Sequence, residues 1–323
     1  MEYVRLGRTG IEVSRLCLGT MSFGRKLAKR PWVLELDEAR PLFRKAWESG
    51  INFFDTSNTY AEGSSEEVTG ILTKELAPRH ELILATKVCN RVRPGPNGAG
   101  LSRKAIMHEI DLSLKRLGTD YVDLYQIHRH DPHTPYEVTM EAMHDVVKAG
   151  KARYIGASSM YVWQFLKYQH AAELDGLTKF MTMQNQISLV YREEEREMLP
   201  LCRNDGIAVI PWGPLGAGKV TRPWGTKTDR STSDALNKTM YEDTSANDPE
   251  VIAAVERVAV ARGVPMAQVA LAWVLQKSGV TAPIIGASRL SHLDDALSAL
   301  RLELDASEIA ALEAPYRPRS IHF

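Results

Sequence analysis

The chain alternates short apolar runs with amphipathic helical patterns, and this rhythm restricts the folds open to it. In residues 37–50 the apolar side chains recur on one helical face, and Gly50 then supplies a C-terminal stop. The run INFFDTS follows at once as a strand. The next helix opens at Ser64, with Glu67 three residues on in the spacing of a capping box.

The same alternation continues to the end of the chain. Strands are predicted near residues 15–20, 51–55, 81–87, 121–127, 153–158, 180–184, 207–212 and 281–286. Helices are predicted near residues 37–50, 64–77, 102–117, 135–149, 160–174, 193–205, 249–262, 265–278 and 290–300. Eight strands that are each followed by a helix indicate an α/β fold of the closed (β/α)8 TIM-barrel type, since open doubly wound sheets usually have fewer strands. One domain spanning residues 1–323 is the expectation.

Four segments need separate interpretation. The start, YVRLGRTGIEVSRL, is typical of a hairpin that could cover the barrel floor. Residues 213–248 lack an apolar period and predict a long loop after strand seven. Residues 305–315 predict an extra C-terminal helix, and the charged run REEERE at 192–197 predicts a solvated helix face.

Composition excludes several classes of partner. Lys plus Arg and Asp plus Glu both total 40, without a polybasic run, so nucleic acid is not expected to bind. No stretch approaches the roughly 18 consecutive apolar residues of a membrane span, and a soluble, cytoplasmic protein is expected. The three cysteines, at 17, 89 and 202, fit reduced core thiols. No metal site is expected, because the histidines at 128, 130 and 133 match no ordinary ligand spacing.

Reactive side chains stand where three neighbouring predicted strands end. Asp55, Lys87 and His128 close these strands, and Tyr60 lies just beyond the first. Taken singly, each has an ordinary alternative, such as a turn-forming aspartate or a half-buried aromatic ring. Together at one barrel mouth they form a proton-transfer set, because a lysine held by an aspartate can tune a tyrosine hydroxyl that otherwise titrates at about 10. A nearby histidine can then hydrogen-bond the group that receives the proton.

Several motifs resemble those of the aldo-keto reductase superfamily over nearly the whole chain. They are D-T-S-x-x-Y-x-x-G-x-S-E at 55–66, A-T-K at 85–87, Q-I-H at 126–128, R-Y-I-G-A-S-S at 153–159, I-P-W-G-P-L-G-x-G at 210–218 and P-I-I-G-A-S at 283–288. The long loop resembles bacterial and potassium-channel-β-like members more than the compact aldose-reductase type. The resemblance implies a catalytic tetrad of Asp55, Tyr60, Lys87 and His128. It also implies a nicotinamide dinucleotide, usually NADPH, bound across the barrel mouth.

The resemblance extends to cofactor contacts. Ser158, Ser159 and Gln184 match positions that hold the nicotinamide carboxamide, and Trp212 matches the aromatic that stacks on the ring. The pyrophosphate loop is matched by Gly213, Pro214, Leu215, Gly216, Gly218 and Lys219. The adenosine site is matched by Gly286, Ser288, Arg289 and His292, and the cationic Arg289 favours NADPH over NADH. The chain departs from the family pattern at Gly213, where many relatives have serine, and at Ser159, where asparagine or arginine is common.

The expected activity is the reversible reduction of an aldehyde or ketone by NADPH, with a small-molecule carbonyl substrate. Two alternatives remain from the sequence alone. One is a cofactor-binding regulatory subunit of a partner protein, and the other is a barrel lyase that uses Lys87 as a Schiff base. His128 favours the enzyme, since the channel subunits that the chain resembles have asparagine there. The natural substrate and the oligomeric state stay open.

Overall fold

A computed structural model of the chain describes residues 1–28, 30–226 and 247–321. In these ranges the central sheet has eight parallel strands, in the order β10-β3-β4-β5-β6-β7-β8-β9. Their bounds are β3 Cys17–Gly19, β4 Phe53–Asp55, β5 Ile83–Val88, β6 Val122–Ile127, β7 Ala152–Ser158, β8 Thr182–Gln184, β9 Ala208–Val209 and β10 Ile284–Gly286. Each lies within or next to a predicted strand.

Backbone hydrogen bonds between the two outer strands close the sheet. The amide of Thr281 donates to the carbonyl of Val209 at 2.8 Å, and the amide of Ile284 donates to that of Pro211 at 2.8 Å. A parallel bridge joins Val209 to Val280 as well. The predicted (β/α)8 TIM barrel is confirmed, and the carboxyl ends of all eight strands therefore surround one mouth.

Helices surround the barrel in the predicted order. Their bounds are α1 Leu36–Glu48, α2 Ser64–Leu76, α3 Arg103–Leu117, α4 Tyr136–Lys148, α5 Val162–Leu174, α6 Met198–Asp205, α7 Asp248–Arg262, α8 Met266–Leu275, α9 Leu290–Ala299 and α10 Ala306–Glu313. The terminal α10 confirms the extra helix: Asp305 accepts bonds from the amides of Ser307 and Glu308, and Glu308 completes the capping box. Local side-chain chemistry thus determines where this helix starts.

The predicted N-terminal hairpin lies against the barrel floor. Its strands, β1 Tyr3–Arg5 and β2 Glu12–Ser14, pair antiparallel. Leu6 and Val13 are fully buried in one apolar cluster with interior barrel residues such as Phe53. The hairpin therefore covers the end of the barrel opposite the mouth.

The expectation of a solvated helix over residues 192–197 was wrong. A short 3-10 turn occupies Glu193–Glu195, and the α-helix predicted from residue 193 begins only at Met198. Glu193 and Glu194 are 7% and 5% exposed. The chain after α10 covers Glu193, since the hydroxyl of Tyr316 and the amide of Arg319 donate to its carboxylate at 2.6 and 2.8 Å. A contact across more than a hundred residues leaves no local signal in the sequence.

The long loop predicted over residues 213–248 is described only at its ends. A 3-10 turn occupies Gly216–Thr221, and α7 begins at Asp248. Residues 227–246 of the predicted loop lie outside the described residues. All three cysteines are buried and free, as expected for core thiols.

Within the described ranges, no single helix is long and apolar enough to cross a membrane. The helices α7 and α8 meet the criteria of length and composition only when taken together, and the chain bends by 103° between them.

Gly70 offers a test of how tightly the helical layer is packed. A Cβ at this position of α2 would lie 2.2 Å from the carbonyl oxygen of Leu117 at the end of α3. Alanine normally stabilises a helix by about 1 kcal/mol relative to glycine. Here Gly70→Ala is expected to lower the free energy of unfolding by about 1–3 kcal/mol instead, because the two helices must separate. Urea unfolding measures the change.

The neighbouring Ile71 provides the control for Gly70. It is 45% exposed on the outer face of the same helix, so Ile71→Ala should change stability by less than about 0.5 kcal/mol. An increase in the urea midpoint of Gly70→Ala would contradict the close helix contact.

Candidate active site

Asp55 and Lys87 form a buried ion pair at the barrel mouth. They end neighbouring parallel strands, β4 and β5, and are 2% and 0% exposed. The ammonium of Lys87 donates to Oδ1 of Asp55 and, at 2.8 Å, to the carbonyl of Thr56. Burial pushes the pKa of Lys87 down, but the Asp55 carboxylate and the Tyr60 hydroxyl outweigh that effect and raise the pKa above its usual value. The lysine therefore stays charged at neutral pH.

Tyr60 lies next to this ion pair. It begins a 3-10 turn, Tyr60–Gly63, in which Ala61 and Glu62 have left-handed φ angles of 47° and 58°. Nζ of Lys87 donates to the Tyr60 hydroxyl at 3.4 Å. Tyr60 is half-buried, whereas Asp55 and Lys87 are buried. The phenol is thus the member of this group that solvent or a ligand can reach.

His128 completes the group on the other side of Tyr60. The two rings are 5.8 Å apart and nearly perpendicular, at 80°. Nδ1 of His128 lies 3.2 Å from both the hydroxyl of Ser57 and the amide nitrogen of Asn90. Because that amide nitrogen can only donate, Nδ1 acts as the acceptor and the ring proton is assigned to Nε2. The structure thus brings together all four members of the tetrad predicted from the sequence.

The charge state of His128 follows from its surroundings. The side chain is 8% exposed, and burial is the main effect that lowers its pKa well below the usual 6.5. The cationic Lys87 and Arg129 lower the pKa further. His128 is therefore a neutral imidazole at neutral pH, and its Nε2–H is a hydrogen-bond donor.

Three polar side chains around the tetrad were missed by the sequence reasoning. Gln126 donates to Oδ2 of Asp55 at 3.0 Å, so the carboxylate is held at both oxygens. Ser57 and Asn90 contact His128 as described above. The signal for Gln126 was present, because it stands two residues before His128 on one strand and must point to the same face. Asn90 lies in a loop after β5, where sequence periodicity gives no direction.

The residues matched to the nicotinamide site lie together beside the tetrad. Nε2 of Gln184 donates to Oδ2 of Asp55 at 3.0 Å, which leaves its Oε1 as an acceptor toward a ligand amide. The hydroxyls of Ser158 and Ser159 are 3.2 Å apart, and Nε1 of Trp212 donates to Ser159 at 2.9 Å. This set of one ring face and several amide and hydroxyl groups fits a nicotinamide carboxamide.

The loop that begins at Gly213 is a tight turn with a cationic side chain beside it. Gly216, Ala217 and Gly218 all have left-handed φ angles, of 55°, 53° and 91°. The amides of Gly216 and Gly218 donate within the loop, to the carbonyls of Gly213 and Leu215, at 2.9 Å each. Lys219 adds a cation nearby, and its Nζ donates to the buried Asp248 at 2.9 Å. Pro214 is buried and Leu215 half-buried in this loop.

The residues matched to the adenosine end also cluster. Gly286 pairs with Gly19 at the end of β10, and its exposed backbone stands at the barrel mouth. The amide of Ser288 donates to Nδ1 of His292 at 3.3 Å, and Arg289 is the N-cap of α9. The exposed side chains of Ser288, Arg289 and His292 thus surround a helix N-terminus, which favours an anion. The donor set along the mouth fits an extended dinucleotide.

The described part of the chain contains no group of three or more His, Cys, Asp and Glu residues that could hold a metal ion.

The low pKa of His128 predicts its behaviour on titration. In histidine ¹⁵N NMR spectra the folded protein should show His128 as a neutral imidazole at pH 6, protonated at Nε2. In the chain unfolded in urea, His128 should titrate with a pKa of about 6.5. Because the unfolded state then binds the extra proton, this residue lowers stability as the pH falls below about 6.5. A charged His128 at pH 6 in the folded protein would contradict the assignment.

Comparison with known proteins agrees with this geometry. The model of the Aldo/keto reductase family matches residues 15–317. An aldo-keto reductase of Fusarium vanettenii is 42% identical over 346 aligned positions, which cover 99% of this chain and 92% of the relative. The versiconal hemiacetal acetate reductase of Aspergillus parasiticus is 41% identical, with 100% of this chain and 99% of that one covered. A Schizosaccharomyces pombe protein named provisionally as an aryl-alcohol dehydrogenase is 40% identical, with 98% of this chain and 96% of that protein covered.

The family match spans most of the chain, and the relatives are similar over nearly their full lengths. The chain therefore belongs to the aldo/keto reductase family and is an oxidoreductase of carbonyl compounds.

Proposed function

We propose that this protein reduces an aldehyde or ketone to an alcohol with NADPH, reversibly, and that Tyr60 supplies the proton. The observation that supports the proposal is the 3.4 Å contact between the Lys87 ammonium and the Tyr60 hydroxyl. The lysine is itself held by the carboxylate of Asp55. A phenol beside a permanent cation can release its proton to an oxygen on which negative charge develops.

Each member of the tetrad has one task in this proposal. The Tyr60 hydroxyl protonates the carbonyl oxygen, and Lys87 stabilises the phenolate that remains. Asp55 keeps Lys87 charged, with Gln126 holding its second oxygen. His128 donates from Nε2 to the carbonyl oxygen and so orients it toward the phenol. Because its pKa is low, His128 acts by hydrogen bonding and stays neutral throughout.

The cofactor, when bound, supplies the hydride that adds to the carbonyl carbon. Gln184, Ser158 and Ser159 are proposed to hold its carboxamide, while Trp212 covers the ring. The pyrophosphate is assigned to the loop over residues 213–219, where Lys219 supplies a cation. The adenosine end is assigned to Gly286, Ser288, Arg289 and His292, and NADPH is preferred to NADH because Arg289 can bind the 2′-phosphate.

The charge on Lys87 argues against the Schiff-base lyase. A lysine must lose its proton before it attacks a carbonyl carbon, and catalytic Schiff-base lysines accordingly have lowered pKa values. The pKa of Lys87 is raised by Asp55. The names of two relatives, a hemiacetal acetate reductase and a provisional aryl-alcohol dehydrogenase, support a role in carbonyl and alcohol interconversion rather than a purely regulatory one.

Tyr60→Phe tests the proton donor. Turnover should fall by about 10²- to 10⁴-fold, the usual effect of removing a positioned acid. Cofactor binding should persist, since Lys87 and Asp55 remain paired. The measurements are NADPH oxidation with a simple aldehyde and NADPH fluorescence titration.

Tyr154→Phe is the matched control for Tyr60. The Tyr154 hydroxyl donates to the carbonyl of Thr9 at 2.7 Å, next to the hairpin on the barrel floor, so its loss should leave turnover intact. Equal activity of Tyr60→Phe and Tyr154→Phe would refute the role of Tyr60.

Arg289→Ala tests the cofactor preference. Removing this cation should lower the ratio of kcat/KM for NADPH to that for NADH by about 10- to 100-fold, as expected for one charge-assisted hydrogen-bond pair. Arg301→Ala is the control, because Arg301 is an equally exposed arginine beyond the other end of α9. A ratio that is insensitive to Arg289 would assign the 2′-phosphate to other residues.

A further inference from the structure

Arg129 is an arginine at the barrel mouth that the proposed reaction does not use. It directly follows His128 at the end of β6 and is half-buried. Its guanidinium carbon lies 6.0 Å from the ring centroid of Trp212. Its Nη1 donates to the backbone carbonyl of His128 at 3.1 Å. Arg129 therefore stands between the tetrad and the proposed nicotinamide site.

Three other partly buried arginines are neutralised by carboxylates. Arg79 pairs with Asp123 at 2.7 Å, Arg93 pairs with Glu109, and Arg116 pairs with Glu66 at 2.5 Å. Across residues 1–28, 30–226 and 247–321, no carboxylate lies within 4.0 Å of the Arg129 guanidinium. Such a cation, withdrawn from water without a counter-charge, is costly to bury and is ready to bind an anion.

The electrostatics around Arg129 agree with that reading. Burial lowers its pKa, and the ionisable groups that act in the opposite direction are the phenol of Tyr60 and the thiol of Cys89. Lys87 is already paired with Asp55, whereas Arg129 has no carboxylate partner among the described residues. The positive charge available to a ligand beside the proposed carbonyl position is therefore that of Arg129.

We propose that Arg129 binds a carboxylate carried by the carbonyl substrate, so that the preferred substrates are aldehydes or ketones bearing a carboxylate group. This inference rests on the proposed function and names the substrate class of the same site. The planar guanidinium matches a carboxylate in a two-point contact. The cofactor does not supply this anion, because its phosphates are assigned to the loop over residues 213–219 and to Arg289, whereas the nicotinamide end beside Arg129 carries no phosphate.

The test compares charged and neutral substrates of one shape. The ortho, meta and para formylbenzoates are each paired with the corresponding formylbenzamide, and kcat/KM is measured for every compound with saturating NADPH. For at least one isomer, kcat/KM for the formylbenzoate should exceed kcat/KM for the formylbenzamide by about 10- to 100-fold, the usual effect of one charge-assisted contact. In Arg129→Met this ratio of kcat/KM values, acid over amide, should fall to about one. Arg129→Lys should retain part of the preference, since the positive charge remains but the two-point contact of the planar guanidinium is lost.

Arg91→Met is the matched control. Arg91 is an exposed arginine in the loop after β5, and its guanidinium donates to the carbonyls of Arg93 and Gly95, so its loss should leave the ratio as in the unmodified protein. NADPH affinity is measured by fluorescence for every variant.

Three results would overturn the inference. The first is a ratio of about one for all isomers in the unmodified protein, and the second is an unchanged preference in Arg129→Met. The third is a tenfold or greater loss of NADPH affinity in Arg129→Met, which would assign Arg129 to the cofactor. If the protein reduces the formylbenzamides but shows no preference for the formylbenzoates, the inference about Arg129 is wrong while the proposed function stands. If no NADPH is oxidised with any of these aldehydes, both the proposed function and the substrate assignment are contradicted.

Discussion

The ion pair between Lys87 and Asp55 is the interaction on which the rest of the site depends. A lysine that is fully buried would lose its proton without a counter-ion, and removing one partner of a buried pair typically costs about 3–5 kcal/mol. Asp55 prevents this loss, and its second oxygen is held by Gln126 and Gln184. Lys87 in turn places its charged ammonium 3.4 Å from the Tyr60 hydroxyl, a contact that an ordinary surface tyrosine lacks.

The barrel explains why these side chains meet. Asp55, Lys87 and His128 lie within one residue of the carboxyl ends of consecutive strands, and parallel strands in register bring these ends to one edge. The hairpin seals the opposite end with Leu6 and Val13, so polar side chains can be buried at the mouth without a second opening beneath them. Tyr60 comes from the turn after β4 instead, which lets it lie above the ion pair and remain half-buried.

Sequence periodicity predicted the strands, most helices and the tetrad, because each of these depends on residues close together in the chain or on the known geometry of the barrel. The turn at Glu193–Glu195 was missed, since its burial depends on Tyr316 and Arg319 at the far end of the chain. The contact of Asn90 with His128 was missed for a related reason. A loop residue has no repeating direction, so only the folded chain shows that its amide selects the tautomer of the imidazole.

Gln184 physically couples the proton-transfer group to the proposed cofactor site. Its amide nitrogen donates to Asp55 and, at 3.2 Å, to Gln126, so both of its protons are used on the tetrad side. Its oxygen is then the group left for a ligand amide, and its backbone carbonyl accepts from Ser159 at 3.1 Å. A ligand amide held by Gln184 would therefore sit at a position determined by Asp55, the same carboxylate that holds Lys87. Hydride donor and proton donor would thus be aligned through one shared residue, Asp55.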